Sequence, residues 1–171
     1  MLAKMNVTSA EANKMLRKLN DERTALLDKE MQNRVFIAAT VENLEDARPA
    51  YSYAETQEKL AALDEKIRRL KHAVNRFNLT QELPGLGMTI DQALIYIPQL
   101  TERKQRLSTL RLIPAKQRNN VTRTGNLIEY TYANFDPAQA DADYAAAADE
   151  LARVQNALDL VNSTVTFEVE L

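Results

Sequence analysis

His72 is the single imidazole in a chain of 171 residues that contains no cysteine. A carboxylate-bridged di-metal site on a helix needs Glu-x-x-His, and Arg69 stands three residues before His72. One histidine cannot build an imidazole-rich zinc or copper site, and without thiols there is neither disulfide nor thiolate chemistry. A serine or threonine nucleophile would have only His72 for an imidazole base, yet His72 lies between Lys71 and Ala73, off the apolar stripe of its helix. Asp21/Glu22 and Asp64/Glu65 are paired acids on polar helix faces, where solvated surface charge is the ordinary meaning. Three glycines leave little material for a phosphate-cradling loop. The expectation is a protein that is not an enzyme, with no metal and no cofactor.

Binding chemistry is better represented. Arg103, Lys104, Arg106, Arg111, Lys116, Arg118 and Arg123 follow one another with no acid between Glu102 and Glu129. Guanidinium and ammonium groups gathered on one face would neutralise phosphates, which makes these residues candidates for polyanion binding. The formal net charge of -2 conceals the asymmetry, because residues 66–128 carry a net +9 while residues 129–171 carry -8 and residues 1–65 carry -3. Such a basic centre also suits docking on the acidic C-terminal third, within or between chains, and late basic residues compensate a helix dipole. Tyr130, Tyr132 and Tyr144 are read as sheet or core packing before base stacking, and Asn75, Asn78 and Asn162 as helix C-caps.

Four amphipathic segments must position these groups. Each opens with a short polar residue followed three positions later by an acid or amide, the signature of a capping box. The pairs are Thr8/Glu11, Ser52/Glu55, Thr89/Gln92 and Asp136/Gln139. They predict helices over about 9–33, 53–78, 90–111 and 137–162. Leu60, Leu63, Ile67, Leu70, Val74 and Phe77 form a 3-4 stripe on the second helix, a seam that faces another helix. The β-branched run Val35–Val41 and the segment Leu127–Tyr132 read as strands, and residues 79–88 and 112–125 as loops. At the C-terminus Val165, Phe167, Val169 and Leu171 alternate with Thr166, Glu168 and Glu170, the pattern of a half-buried strand.

The halves align with each other. Shifted by 81, Thr8, Ala12, Leu16, Leu19, Arg23 and Leu26 fall on Thr89, Ala93, Ile97, Leu100, Lys104 and Leu107. Shifted by 84, Ser52, Leu60, Leu63, Ile67, Leu70 and Phe77 fall on Asp136, Tyr144, Ala147, Leu151, Val154 and Val161. The repeating unit is helix, strand, helix, which predicts an internal duplication over 9–80 and 90–164 within a single domain of 1–171. The fold class expected is mainly α within α+β: long antiparallel helices in a four-helix bundle or coiled coil, with a small β-sheet.

The stretch His72–Lys104, the segment NLIEYTYANFD and the ending NALDLVNSTVTFEVEL resemble the septicolysin-like group, small bacterial coiled-coil proteins of unknown function. The matching features are Asn75 and Asn78 at the end of a long helix, Gly87 before a helix capped by Thr89, a short strand around Ile128, and Asn162 before an extended tail. The resemblance implies architecture, and these motifs mark structure and not chemistry.

Function is therefore expected to be structural or interaction-based, through self-association, with a homo-oligomer or another protein as partner and RNA or another polyanion as the second reading. Val165, Phe167 and Val169 of the tail are the candidates for self-association, as an added strand would satisfy exposed backbone groups. No run approaches the roughly 20 apolar residues of a membrane span, so no membrane partner and a cytoplasmic location are expected.

Overall fold

Thr8 and Thr89 each start a long helix with a complete capping box. The Glu11 amide donates to the Thr8 hydroxyl at 3.2 Å while the Glu11 carboxylate accepts from the Thr8 amide at 2.8 Å. Gln92 and Thr89 repeat the exchange at 3.3 and 2.9 Å. In this computed structural model, which describes residues 4–119 and 128–171, the elements run β1 (Lys4–Thr8), α1 (Ser9–Asn33), α2 (Leu44–Ala47), α3 (Tyr53–Thr80), α4 (Ile90–Leu110), β2 (Lys116–Arg118), β3 (Tyr130–Tyr132), α5 (Pro137–Thr164) and β4 (Thr166–Glu170). The fold is mainly helical α+β, with long packed helices and two small two-stranded antiparallel sheets. Asp136 caps α5 by accepting from the Ala138 amide at 2.9 Å, but Gln139 turns to Asp143 and leaves that box half made. α4 runs through Pro98 without interruption.

The chain forms two compact units. The first holds residues up to Asn78 together with Asn162–Leu171. Its core is an antiparallel pairing of α1 with α3: Arg23 meets Asp64 at 2.7 Å, and Glu30 accepts from Gln57 at 2.8 Å. Leu60, Leu63, Ile67, Leu70 and Phe77 are buried as the stripe requires, with Val74 half-buried. β1 pairs antiparallel with β4, from Lys4 opposite Glu170 to Thr8 opposite Thr166. This ladder lays Val7 and Val169 against Ala12 and Leu70 in one core cluster, and Phe167 stacks on Phe77 with ring centroids 4.5 Å apart. Outside the ladder the Lys4 ammonium bridges Glu170 at 2.8 Å and Glu168 at 3.2 Å. The hydrogen bond from Lys4 holds the Glu170 carboxyl below its ordinary range, so the link persists at neutral pH and is lost as pH falls through the Glu170 titration.

The second unit spans Leu79–Val161 and pairs α4 with α5. Ala93, Leu100 and Leu107 on α4 and Ala140, Ala147, Leu151, Val154 and Leu158 on α5 are buried. Gly85 and Gly87, at φ 69° and 61°, let the connection before α4 turn back, so that the Leu83 amide reaches the Met88 carbonyl at 2.8 Å and Leu83 is buried.

Several features depart from the expectations, among them β2 at Lys116–Arg118, inside the 112–125 segment expected as a loop but paired there by β3, and the short helix α2. Val35–Val41 forms no strand: among the described residues the run has no ladder partner, and Val35, Ile37 and Val41 face water. β-propensity records packing on a pleated surface, and without a neighbouring strand it has nothing to act on. Asn78 and Asn162 sit inside helices that continue two residues further, and no described residue other than glycine takes a positive φ, so neither amide makes a left-handed cap. β1 has no counterpart among the expected elements, its five residues KMNVT being too polar to signal a strand. Of the segment expected as a strand over 127–132, Leu127 lies outside the described residues and the strand itself is Tyr130–Tyr132.

Two measurements check this packing. Replacing Ile67 with Ala should cost about 2 to 5 kcal/mol in denaturant unfolding, and a cost near zero would show that the seam is not packed. Truncation after Asn162 removes β4 and uncovers Val7 and Phe77; a loss of at least about 3 kcal/mol is expected from the apolar surface exposed, against an unchanged melting temperature if the tail were dispensable.

Candidate interaction surfaces at the hairpin tips

Each helical hairpin ends in a tip made of the connection between its long helices and the helix turns beside it, and the tips hold most of the exposed large apolar side chains. Among the described residues only Leu79, Leu94, Ile95 and Leu160 of that class lie elsewhere.

In the first unit Glu30 fastens the tip, accepting from the Tyr51 hydroxyl at 3.1 Å as well as from Gln57. Loss of hydration pushes the Tyr51 phenol above its ordinary range, and the bond to Glu30 adds to the effect. A turn follows α1, in which the Glu42 amide donates to the Ala39 carbonyl at 3.0 Å and the Ala39 amide to the Glu42 carboxylate at 2.7 Å. Asn43 then caps α2, and Arg48 pairs with Glu45 and lies 6.0 Å over the Phe36 ring. None of this covers Met31, Val35, Ile37, Val41 or Leu44.

In the second unit β2 and β3 pair antiparallel, Lys116 opposite Tyr132 and Arg118 opposite Tyr130. Directly opposed and alternate residues share a face, so Lys116, Arg118, Tyr130 and Tyr132 stand together on one side of the ribbon. The Lys116 ammonium is 4.0 Å from the Tyr130 ring centroid and 5.5 Å from that of Tyr132. Leu112, Ile113, Ile128 and Phe135 add exposed apolar surface.

The seven basic candidates are thus not one face. Arg103 and Arg106 are exposed on α4, while Lys104 is half-buried. Arg111 turns back onto α5, 3.3 Å from Asp141 and 4.3 Å over the ring of Tyr144. Lys116 and Arg118 stand together beside the rings of Tyr130 and Tyr132, apart from the Arg111–Tyr144 contact, and Arg123 lies outside the described residues. The tail candidates serve the protein's own core: Val169 is buried, Phe167 stacks on Phe77, and Val165 is half-buried. The tip residues Ile37, Val41 and Leu112 escape a reading of the sequence because an apolar residue carries no sign, in sequence alone, of being left exposed. The first hairpin also carries an open groove of about 550 Å³, with Leu26 and Leu63 in its lining and Lys29, Lys59 and Lys66 around it.

No protein-family model matches the sequence, and no curated protein matches it. Among solved structures the chain is similar to a functionally unknown conserved protein from Corynebacterium diphtheriae, at a TM-score of 0.57 and 18% identity, over 95% of this chain and 99% of that one. The likeness is one of fold. Among the described residues no helix is long and apolar enough to cross a membrane.

Arg111 tests how far the basic residues act within the fold. Arg111→Ala should cost about 0.5 to 1 kcal/mol in denaturant unfolding, the scale of an exposed cation–π contact and ion pair. A cost above that of a buried leucine would mean that the α4–α5 tip hinges on this one side chain.

Proposed function

We propose that the protein is a cytoplasmic structural or protein-interaction module that acts through self-association, with its contact surfaces at the hairpin tips. The observation that carries this reading is the concentration of exposed aliphatic and aromatic side chains at the tips, since contiguous apolar surface on a soluble domain marks an interaction site. No catalytic step is assigned.

We further read the two hairpins as copies of one unit, a duplication within the chain. Their burial patterns support it: shifted by 81, buried Ser9 and Ala12 fall on buried Ile90 and Ala93, and shifted by 84, buried Leu63, Ile67, Leu70 and Phe77 fall on buried Ala147, Leu151, Val154 and Val161.

A second reading is favoured by one specific arrangement. Lys116 and Arg118 beside Tyr130 and Tyr132 combine cations with rings, the chemistry that grips single-stranded nucleic acid.

Light scattering on the full chain across a wide concentration range separates the two. Self-association predicts a mass that rises above 19.4 kDa with concentration. Polyanion binding predicts instead an affinity for single-stranded RNA whose logarithm falls with log salt by about 0.7 for each phosphate neutralised. A monomer at every concentration with no RNA affinity would reject both.

A further inference from the structure

The two tips treat the segment after their first helix differently. In the α4–α5 hairpin that segment becomes β2 and is paired by β3. In the α1–α3 hairpin the segment before α3 is occupied by α2 and Pro49, and Val35–Val41 is left without a strand partner. Every residue of this run, VFIAATV, is β-branched, aromatic or alanine, and Ile37 is 99% exposed. Once extended, such a run would offer unpaired backbone groups to another chain.

We propose that residues 34–42 form a strand completed by a second copy of the chain, the two copies pairing antiparallel about a two-fold axis through Ala38. The proposal rests on the self-association reading above and names its surface. In this register Arg34 opposes Glu42 of the second copy, Val35 opposes Val41, Phe36 opposes Thr40, Ile37 opposes Ala39, and Ala38 opposes itself. Opposed residues share a face. One face then holds only Val35, Ile37, Ala39 and Val41, while the other closes at both ends with an Arg34–Glu42 pair of opposite charge. A slip of one residue would set Val35 against Glu42, and a slip of two would set Arg34 against Leu44 or Thr40; charge and apolar pattern agree in the one register. Pairing requires the Ala39–Glu42 turn to open. That opening releases the Glu42 carboxylate from the Ala39 amide, which the ladder then satisfies, and makes the carboxylate available to Arg34 of the second copy. A two-fold axis makes the contact closed, so it yields a dimer and no fibre.

The absence of native cysteine makes the register directly testable in the full chain. Directly opposed Cα atoms of an antiparallel ladder lie about 4.5 to 5.5 Å apart, within disulfide reach. Ala38→Cys should give covalent dimers under mild oxidation. Ile37→Cys should not, because its own counterpart lies on a diagonal about 7 to 8 Å away. Arg34→Glu should weaken the dimer about tenfold by placing like charges at both ends, and adding Glu42→Arg should restore it. Ile37→Lys, at a position that leaves the fold untouched, should yield a monomer with an unchanged thermal melt. A dimer that survives Ile37→Lys, or that cross-links equally through Ile37→Cys and Ala38→Cys, overturns the strand while leaving self-association standing. A wild-type chain that is monomeric at every concentration overturns both.

Discussion

The ladder between β1 and β4 is the constraint on which the first unit depends. It joins residues 4–8 to residues 166–170, and Val7 and Val169 from its two strands close over Ala12 and Leu70. Two helices alone share one seam and leave its flanks wet; the ribbon supplies the missing layer at one end. Since the two strands lie far apart in sequence, the core around Leu70 is closed by a non-local contact of the kind that slows folding. The Lys4 bridge to Glu168 and Glu170 fixes the register from outside at little energetic gain, because all three groups are solvated.

Much of this was legible in the sequence, and the reason is local. Helix starts at Ser9, Tyr53, Ile90 and Pro137 follow from side chains within four residues of the boundary, where an N-cap either accepts an amide or does not. Seam positions follow from period alone. The alternation of the tail predicts a strand, and a strand is present, but its partner is set by a distant segment whose composition is silent. Val35–Val41 shows the converse case, with strong local preference and no neighbour to realise it.

The candidate sites were less legible because charge in sequence does not say what it meets. Lys116 and Arg118 stay at the surface beside tyrosines, whereas Arg111 is held by Asp141 and Tyr144 of its own hairpin, and Arg23 by Asp64. Part of the apparent polarity between a basic middle and an acidic end is thus neutralised inside the units. The buried Ser9 makes a related point: it stands where the matching position of the other hairpin holds Ile90, and its hydroxyl has no hydrogen-bond partner among the described residues. The pattern of burial persists there although the chemistry of the side chain has changed.

That contrast bears on where function resides. If the hairpins are two copies, their shafts have kept the matching Thr8 and Thr89 caps and much of the buried register, while their tips differ: an aliphatic loop with a short helix in one and a cationic, tyrosine-bearing ribbon in the other. Packing holds the shafts to their pattern, since a seam position that fails to fill its space costs stability. A tip is released from that restraint and changes without such a cost. The two tips thus differ in chemistry, exposed aliphatic side chains in one and cations beside tyrosine rings in the other, a difference that the packing of the shafts does not constrain.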